Sequence, residues 1–414
     1  MMGRVSTNWA GSHTYRASRI SHPGSLEELQ ELVAGAGRIR ALGTRHSFND
    51  LADSDGELVS LDALPTEIVV DAGSRSVTVG GGVRYGDLAD RLHAEGWALH
   101  NLASLPHISV AGAVATGTHG SGDRNQNLSA SVRALDLVGA DGEVRTVRRG
   151  DPDFDGSVVS LGALGIVTSL VLDIEPTYDV VGTQFTDLSW ETLDEHLEDV
   201  MAAAYSVSLF TRWGAGIDQV WVKSRSSAPP EDFFGATRST TTLHMLHDAP
   251  TAAVTEQGAA GPWHERLPHF RMAFTPSRGE ELQSEYFVGR ERGRDALAAL
   301  RRLEPVVAPL LQVSEIRTVA ADDQWLSGCY GRDTIGLHFT WVRDVAAVER
   351  VLPDIEAVLL PLGARPHWGK CSTVPADQVA AALPRVSDFA ALRATHDPAA
   401  KFGNSRVDAV IAAG

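Results

Sequence analysis

Two stretches of the chain combine residue types that could hold a phosphate-bearing ligand. In Ala41-Leu42-Gly43-Thr44-Arg45-His46-Ser47-Phe48-Asn49 a glycine turn ends an apolar strand and presents a histidine between small polar neighbours. Downstream, Ser109-Val110-Ala111-Gly112-Ala113-Val114-Ala115-Thr116-Gly117-Thr118-His119-Gly120-Ser121-Gly122 is rich in glycine and small hydroxyl residues. Backbone of that kind can approach a diphosphate closely and aim its N–H groups at it. The two stretches together suggest a bound dinucleotide. No Gly-x-Gly-x-x-Gly opens a βαβ unit, however, as a nicotinamide-type dinucleotide fold would require. Farther along, Glu315 and Arg317 stand two residues apart, as do His338 and Thr340, and Lys370 follows near the carboxy terminus. Spacing alone leaves ordinary readings open for these: a solvated strand face for the pair, a surface lysine, a satisfied core histidine.

The elements that must position these residues read as α+β, without regular βαβ alternation. Ser25-Leu26-Glu27-Glu28 has capping-box spacing, and Leu26, Leu29, Leu32 and Val33 recur at helical intervals, which predicts a helix over 25–36. Ile39 to Leu42 is then a short strand that delivers the histidine turn. Further strands are expected over 58–62, 68–71 and 76–80, and a helix over 85–93. Asp141-Gly142 is a hairpin turn between strands at 132–138 and 143–147, and 166–174 is a long apolar strand that Glu175-Pro176 ends. Past Pro176 the texture changes, with several tryptophans and a loop-like region over 224–263. Strands over 315–319 and 334–341 alternate polar and apolar residues, so Glu315 shares a face with Arg317, and His338 with Thr340.

Bulk properties exclude several function classes. At 414 residues the chain is long enough for two domains, and 43% hydrophobic with 21% charged residues is a globular composition. A net charge of −17 would repel a polyphosphate over most of the surface, so DNA and RNA are excluded as partners. No run of eighteen apolar residues offers a membrane span, and Met1 to Trp9 lacks the apolar core of a signal peptide, so a cytoplasmic protein is expected; separately, a monomer is expected. Cys329 and Cys371 have no metal-type spacing. The pairs His244/His247 and His264/His269 lack a third ligand, so no metal is expected.

With these residues assembled, the chain resembles the flavoprotein oxidases of the vanillyl-alcohol oxidase superfamily, in their alditol oxidase branch. The resemblance is carried by the His46 turn, by Asn101 through Gly112, by Thr116-Gly117-Thr118-His119-Gly120 and by Leu161-Gly162-Ala163-Leu164-Gly165-Ile166-Val167-Thr168. Trp263 through Phe270, Glu315-Ile316-Arg317 and Pro366-His367-Trp368-Gly369-Lys370 carry it farther along. It implies an FAD-binding domain over 1–176, a mixed-sheet substrate cap over 177–360 and a segment over 361–414 that completes the site. It also implies FAD joined covalently to His46, with Thr44-Arg45 differing from the smaller pair of the type member. The cofactor contacts implied are Ala41, Leu42, Gly43, Thr44, Arg45, His46, Ser47, Ala103, Ser104, Ser109, Gly112, Ala113, Thr116, Gly117, Thr118, His119, Gly120, Gly165, Ile166, Val167 and His367. Gly112, Gly117 and Gly120 are expected against the diphosphate, and His119 to shape the loop around it.

The activity implied is oxidation of the terminal alcohol of a polyol such as xylitol or sorbitol, with molecular oxygen reduced to hydrogen peroxide. Taking a hydride from an alcohol carbon is easier when a base or positive charge withdraws the hydroxyl proton. Arg317 and Lys370 are then the positive field, His338 the group that accepts the proton or holds the hydroxyl, and Glu315, Ser104 and Thr340 partners for the polyol. A sugar aldonolactone oxidase or dehydrogenase, and a non-catalytic electron-transfer flavin subunit, are the alternatives.

Overall fold

The computed structural model describes residues 7–225, 231–246, 249–274 and 280–414. In its amino-terminal part the strand Ile20–Ser21 is followed by the helix Leu26–Gly35, capped by Ser25, whose hydroxyl accepts from the Glu28 N–H at 3.2 Å. Glu28 reaches back to the Gly24 N–H rather than to that of Ser25, a capping box displaced by one residue. The strand Ile39–Ala41 pairs in parallel with Glu57–Val59, which also pairs in parallel with Ile20–Ser21. A five-stranded antiparallel sheet follows, in the order Ile68–Asp71, Ser76–Gly80, Ile166–Asp173, Val132–Val138, Val144–Arg148. Gly142, at φ +86°, turns the hairpin between the last two. The helix Tyr85–Ala94 packs into the same core.

Nine strands form a second sheet. Its main path runs Thr237–Arg238, Asp179–Ser189, Gly216–Ser224, Ser206–Thr211, Leu311–Val319, Thr334–Val342, Glu281–Gly289, Arg365–Pro366, and Ala260–Pro262 pairs with the second of these. Every strand-to-strand pairing in it is antiparallel, whereas both strand pairings of the small three-stranded sheet are parallel.

Strand alternation gives the large sheet two unlike faces. Leu282, Tyr286 and Val288, Ile316, and Ile335, Leu337, Phe339 and Trp341 point to one side, into a core shared with the helices Trp190–Ala202, Gly293–Arg301 and Val345–Leu359. The residues between them, among them Gln283, Glu285, Glu315, Arg317, His338 and Thr340, point to the other side and line a cavity. Past the last strand the chain leaves this sheet: Leu383, Val386, Phe389, Leu392, Val407 and Val410 are buried in the core beneath the five-stranded sheet. Among the described residues no helix is long and apolar enough to cross a membrane.

Candidate active site

The cavity has a volume of about 1040 Å³, at the upper end for small-molecule sites. One end is walled by the histidine turn. Phe48 N–H donates to the Gly369 carbonyl at 2.7 Å, and the Asn49 amide donates to the carbonyls of Trp368 and Lys370, each at 2.8 Å. The Asn49 side chain therefore ties His46 to the segment that carries Lys370. Arg45 takes a left-handed conformation at φ +66°, a costly one for a residue with a Cβ, and its carbonyl accepts from the Trp9 N–H at 2.9 Å. The Trp9 indole lies over the His46 ring, with centroids 5.2 Å apart and planes at 27°. Burial, then the neighbouring His107, lowers the His46 pKa to about 4, so its imidazole is neutral and nucleophilic at ordinary pH.

The other end is a row of ionisable side chains across three adjacent strands. Sheet register sets Glu285 directly opposite His338, and His338 directly opposite Glu315. Glu285 is only 1% exposed, and it gathers His119 Nε2 at 3.1 Å, Arg317 Nη2 at 3.3 Å and Lys370 Nζ at 3.1 Å. Burial would raise this carboxyl, but Lys370, His119 and Arg317 outweigh it and hold the pKa well below the usual carboxylate range. Lys370 also donates to Gln283 Oε1 at 2.9 Å, and Arg317 Nη1 donates to the Ser104 hydroxyl at 3.2 Å. Glu315 meets Arg317 Nε at 3.4 Å and His269 Nε2 at 2.7 Å. Against burial, these two neighbours keep it ionised. Burial and then Lys370 drive the His338 pKa well below its ordinary value, and its buried Nε2 has no hydrogen-bond partner. His338 lines the polar cavity as a neutral imidazole, and its Nε2 has hydrogen-bonding capacity that no protein group uses.

Most of the expected site residues line this one cavity: Ala41 through Ser47, Ala103, Ser104, Ser109, Gly112, Ala113, Thr116, Thr118, His119, Gly165, Val167, Glu315, Arg317, His338, Thr340, His367 and Lys370. Three expected residues do not. Gly117 is glycine for its left-handed φ of +63°, and an added Cβ would point toward Asn127 and Val159. Gly120 is glycine because a Cβ would sit 2.5 Å from the Leu102 carbonyl oxygen. Ile166 is fully buried in a small core with Leu29, Val33, Val59 and Phe402. The His119 ring bonds the Gly120 carbonyl of its own loop through Nδ1 at 2.8 Å and pairs with Glu285 through Nε2 at 3.1 Å. His247 lies outside the described residues.

Gly81 and Gly82 line the cavity as well and were not anticipated. A Cβ on them would fall 2.3 Å from the Val167 carbonyl oxygen and 2.6 Å from that of Leu61, so the backbone can pass there only as glycine. The signal available was the run Gly80-Gly81-Gly82, which ends the 76–80 strand. Glu285 was missed too, because Glu281 and Glu285 within Glu281–Gly289 carry no spacing that marks either as a site residue.

The cavity fits FAD by several features. It is large, glycine backbone borders it at Gly43, Gly81, Gly82 and Gly112, and a polar cluster with an orphaned imidazole nitrogen closes one end. Ligand atoms of His119, Glu285 and His367 lie within 4.8 Å of one another, a spacing that could suit a metal, but Lys370 and Arg317 already hold that carboxylate and their charges oppose a cation.

Comparison with known proteins decides the family. Over 409 residues, 98% of each chain, the sequence is 51% identical to an alditol oxidase of a Streptomyces species. This chain belongs to the FAD-dependent alditol oxidase family. A family model for an FAD binding domain matches residues 17–148, and one for D-arabinono-1,4-lactone oxidase matches 274–410. An L-gulono-1,4-lactone dehydrogenase of Mycobacterium tuberculosis is 30% identical over 97% of this chain and 98% of that protein. The crystal structure of a cholesterol oxidase from B. sterolicum superposes with a TM-score of 0.81 at 16% identity, covering 98% of this chain and 96% of that one. This last likeness establishes a shared two-domain α+β fold, not a shared substrate.

Proposed function

We propose that this member of the alditol oxidase family oxidises the terminal primary alcohol of an acyclic polyol such as xylitol or sorbitol to the aldose, with molecular oxygen reduced to hydrogen peroxide. The observation that carries the reading is the row Glu285, His338, Glu315 with Arg317 and Lys370 beside it, facing a cavity that also contains His46. FAD, held covalently through neutral His46 and by the Gly43 and Gly112 backbone, would supply hydride acceptance and electron delivery to oxygen. His338 has no protein partner at Nε2, and in the tautomer that leaves this nitrogen unprotonated it takes the hydroxyl proton as the C–H bond breaks. Arg317 and Lys370 place positive charge where negative charge develops. Glu315 accepts from a neighbouring hydroxyl of the chain-like substrate, and Ser104 and Thr340 complete its hydrogen bonding.

The match of residues 274–410 to the D-arabinono-1,4-lactone oxidase model favours a second reading, a cyclic sugar lactone as substrate. Purified flavin-loaded protein mixed anaerobically with xylitol, sorbitol, L-gulono-1,4-lactone and D-arabinono-1,4-lactone separates the two. Rapid bleaching of the flavin by the polyols, with one peroxide formed per polyol in air, is the expected result. In Lys370→Met the bleaching rate should fall about a hundredfold or more with the flavin retained. Bleaching by lactones alone, or a parental rate in Lys370→Met, would overturn the reading.

A further inference from the structure

Behind Glu315 lies a chain of side chains that the proposed chemistry does not use. Lys223, on the strand Gly216–Ser224, is 1% exposed and does not border the cavity. An ammonium has three N–H donors, and three acceptors surround it: the Leu267 carbonyl, the Pro268 carbonyl at 3.1 Å and His269 Nδ1 at 3.1 Å. Two of the three are backbone oxygens that can only accept. Burial lowers the Lys223 pKa to about 7, against the pull of Glu315; in the ammonium form the third N–H goes to Nδ1, and the His269 ring then carries its own proton on Nε2. That nitrogen faces Glu315 Oε1 at 2.7 Å. The opposite tautomer would set an imidazole lone pair against an ionised carboxylate.

The ring has little freedom to turn away. Phe210 and Trp221 meet it edge to face at 5.5 and 5.1 Å, and the His269 and Phe270 N–H groups both bond the Ser104 carbonyl. Both the His269 and the Arg317 contacts fall on Oε1 of Glu315, which leaves Oε2 for a ligand. Burial lowers the His269 pKa to about 4, consistent with a neutral ring that has one proton to give. An aliphatic residue in place of Lys223 would avoid the cost of burying a charge, so its presence calls for a reason beyond packing.

We infer that Lys223 and His269 are a positioning pair that locks Glu315 as an ionised acceptor in one orientation, and so selects substrates offering a hydroxyl at that point over those offering a carbonyl oxygen. The inference rests on the polyol reading. A hydroxyl donates to Oε2, whereas a lactone carbonyl placed there meets a carboxylate that can neither donate nor swing away.

The test has two arms on the flavin-loaded protein. In steady-state kinetics with xylitol, His269→Phe keeps an aromatic ring but no donor, and should raise KM about tenfold or more with kcat changed far less. His269→Gln, which can present an N–H near the Nε2 position, should restore most of that loss. A parental KM in His269→Phe, or equal defects in both variants, would overturn the inference. The second arm is the tautomer itself, read by long-range proton–nitrogen correlation on protein labelled with ¹⁵N-histidine, the His269 signals being those lost in His269→Gln. The Nε2–H form is expected, with loss of its dominance in Lys223→Met. An Nδ1–H form in the parental protein would overturn the inference. Because this arm needs no substrate, a protein that failed to oxidise xylitol would sink the proposed function while the tautomer still decided the role of Lys223 and His269.

Discussion

Glu285→Gln is the most demanding perturbation of the charged row, because it removes one charge and almost no volume. The carboxylate faces Lys370 Nζ at 3.1 Å and Arg317 Nη2 at 3.3 Å, with His119 Nε2 at 3.1 Å. At an effective dielectric near 20, each cation contact is worth about 5 kcal/mol before desolvation is counted. Desolvation of a carboxylate this buried offsets much of that, and breaking such a network by removing one partner costs about 3–5 kcal/mol. The variant should therefore fold with that much less free energy in urea titrations followed by tryptophan fluorescence. A second readout tests the electrostatics directly. Burial lowers the Lys370 pKa and Glu285 pushes it back up. Without Glu285 the ammonium loses its proton at lower pH, so the alkaline limb of polyol oxidation should move to lower pH. A stability within about 1 kcal/mol of parental, joined to an unmoved alkaline limb, would refute the view that Glu285 organises these cations.

His46→Ala should abolish covalent flavin, read as loss of in-gel fluorescence and of the added FAD mass, and leave at most loosely held cofactor. Gly112→Val would place a Cβ 2.8 Å from the Ser109 hydroxyl at the cavity wall, so folded but flavin-poor protein is expected from its absorbance ratio. Acid should destabilise the fold through its buried histidines. Burial lowers the His269 pKa to about 4 and that of His367 to about 3, against an ordinary 6.5, so the unfolded chain binds protons in that window that the folded chain does not. Stability then falls as pH drops below 6.5, by up to about 1.4 kcal/mol per pH unit for each histidine, and His269→Gln should flatten the slope in unfolding titrations.

The local elements were legible where chemistry is local. The helix expected over 25–36 is Leu26–Gly35, the helix expected over 85–93 is Tyr85–Ala94, and the Asp141-Gly142 hairpin forms as expected, because caps, periodicity and turn residues act over a few positions. Alternation also fixed which face of the 315–319 and 334–341 strands carries Glu315, Arg317, His338 and Thr340. It could not supply their neighbours. Glu285 joins the row through pairing with the Thr334–Val342 strand, and Lys223 reaches His269 through the fold of a distant loop, so neither has a signal in its own stretch. The glycines divide for the same reason. At Gly112 a Cβ would press on the Ser109 hydroxyl at the cavity wall, while Gly117 answers to backbone handedness and Gly120 to a carbonyl of another segment, which composition alone does not distinguish.

The placement of Glu285, His338 and Glu315 on three neighbouring strands ties activity to folding. A slip of one residue in the pairing of any of these strands would send its ionisable side chain into the apolar core under the helices and bring a core residue into the cavity. Such a register error buries an unpaired charge, so misregistered sheets are both inactive and unstable. These pairings also join segments far apart in the chain, the kind of contact that forms slowly. Regain of polyol oxidation during refolding would therefore report the moment the central strands find their register, a step that secondary structure measured by circular dichroism could precede.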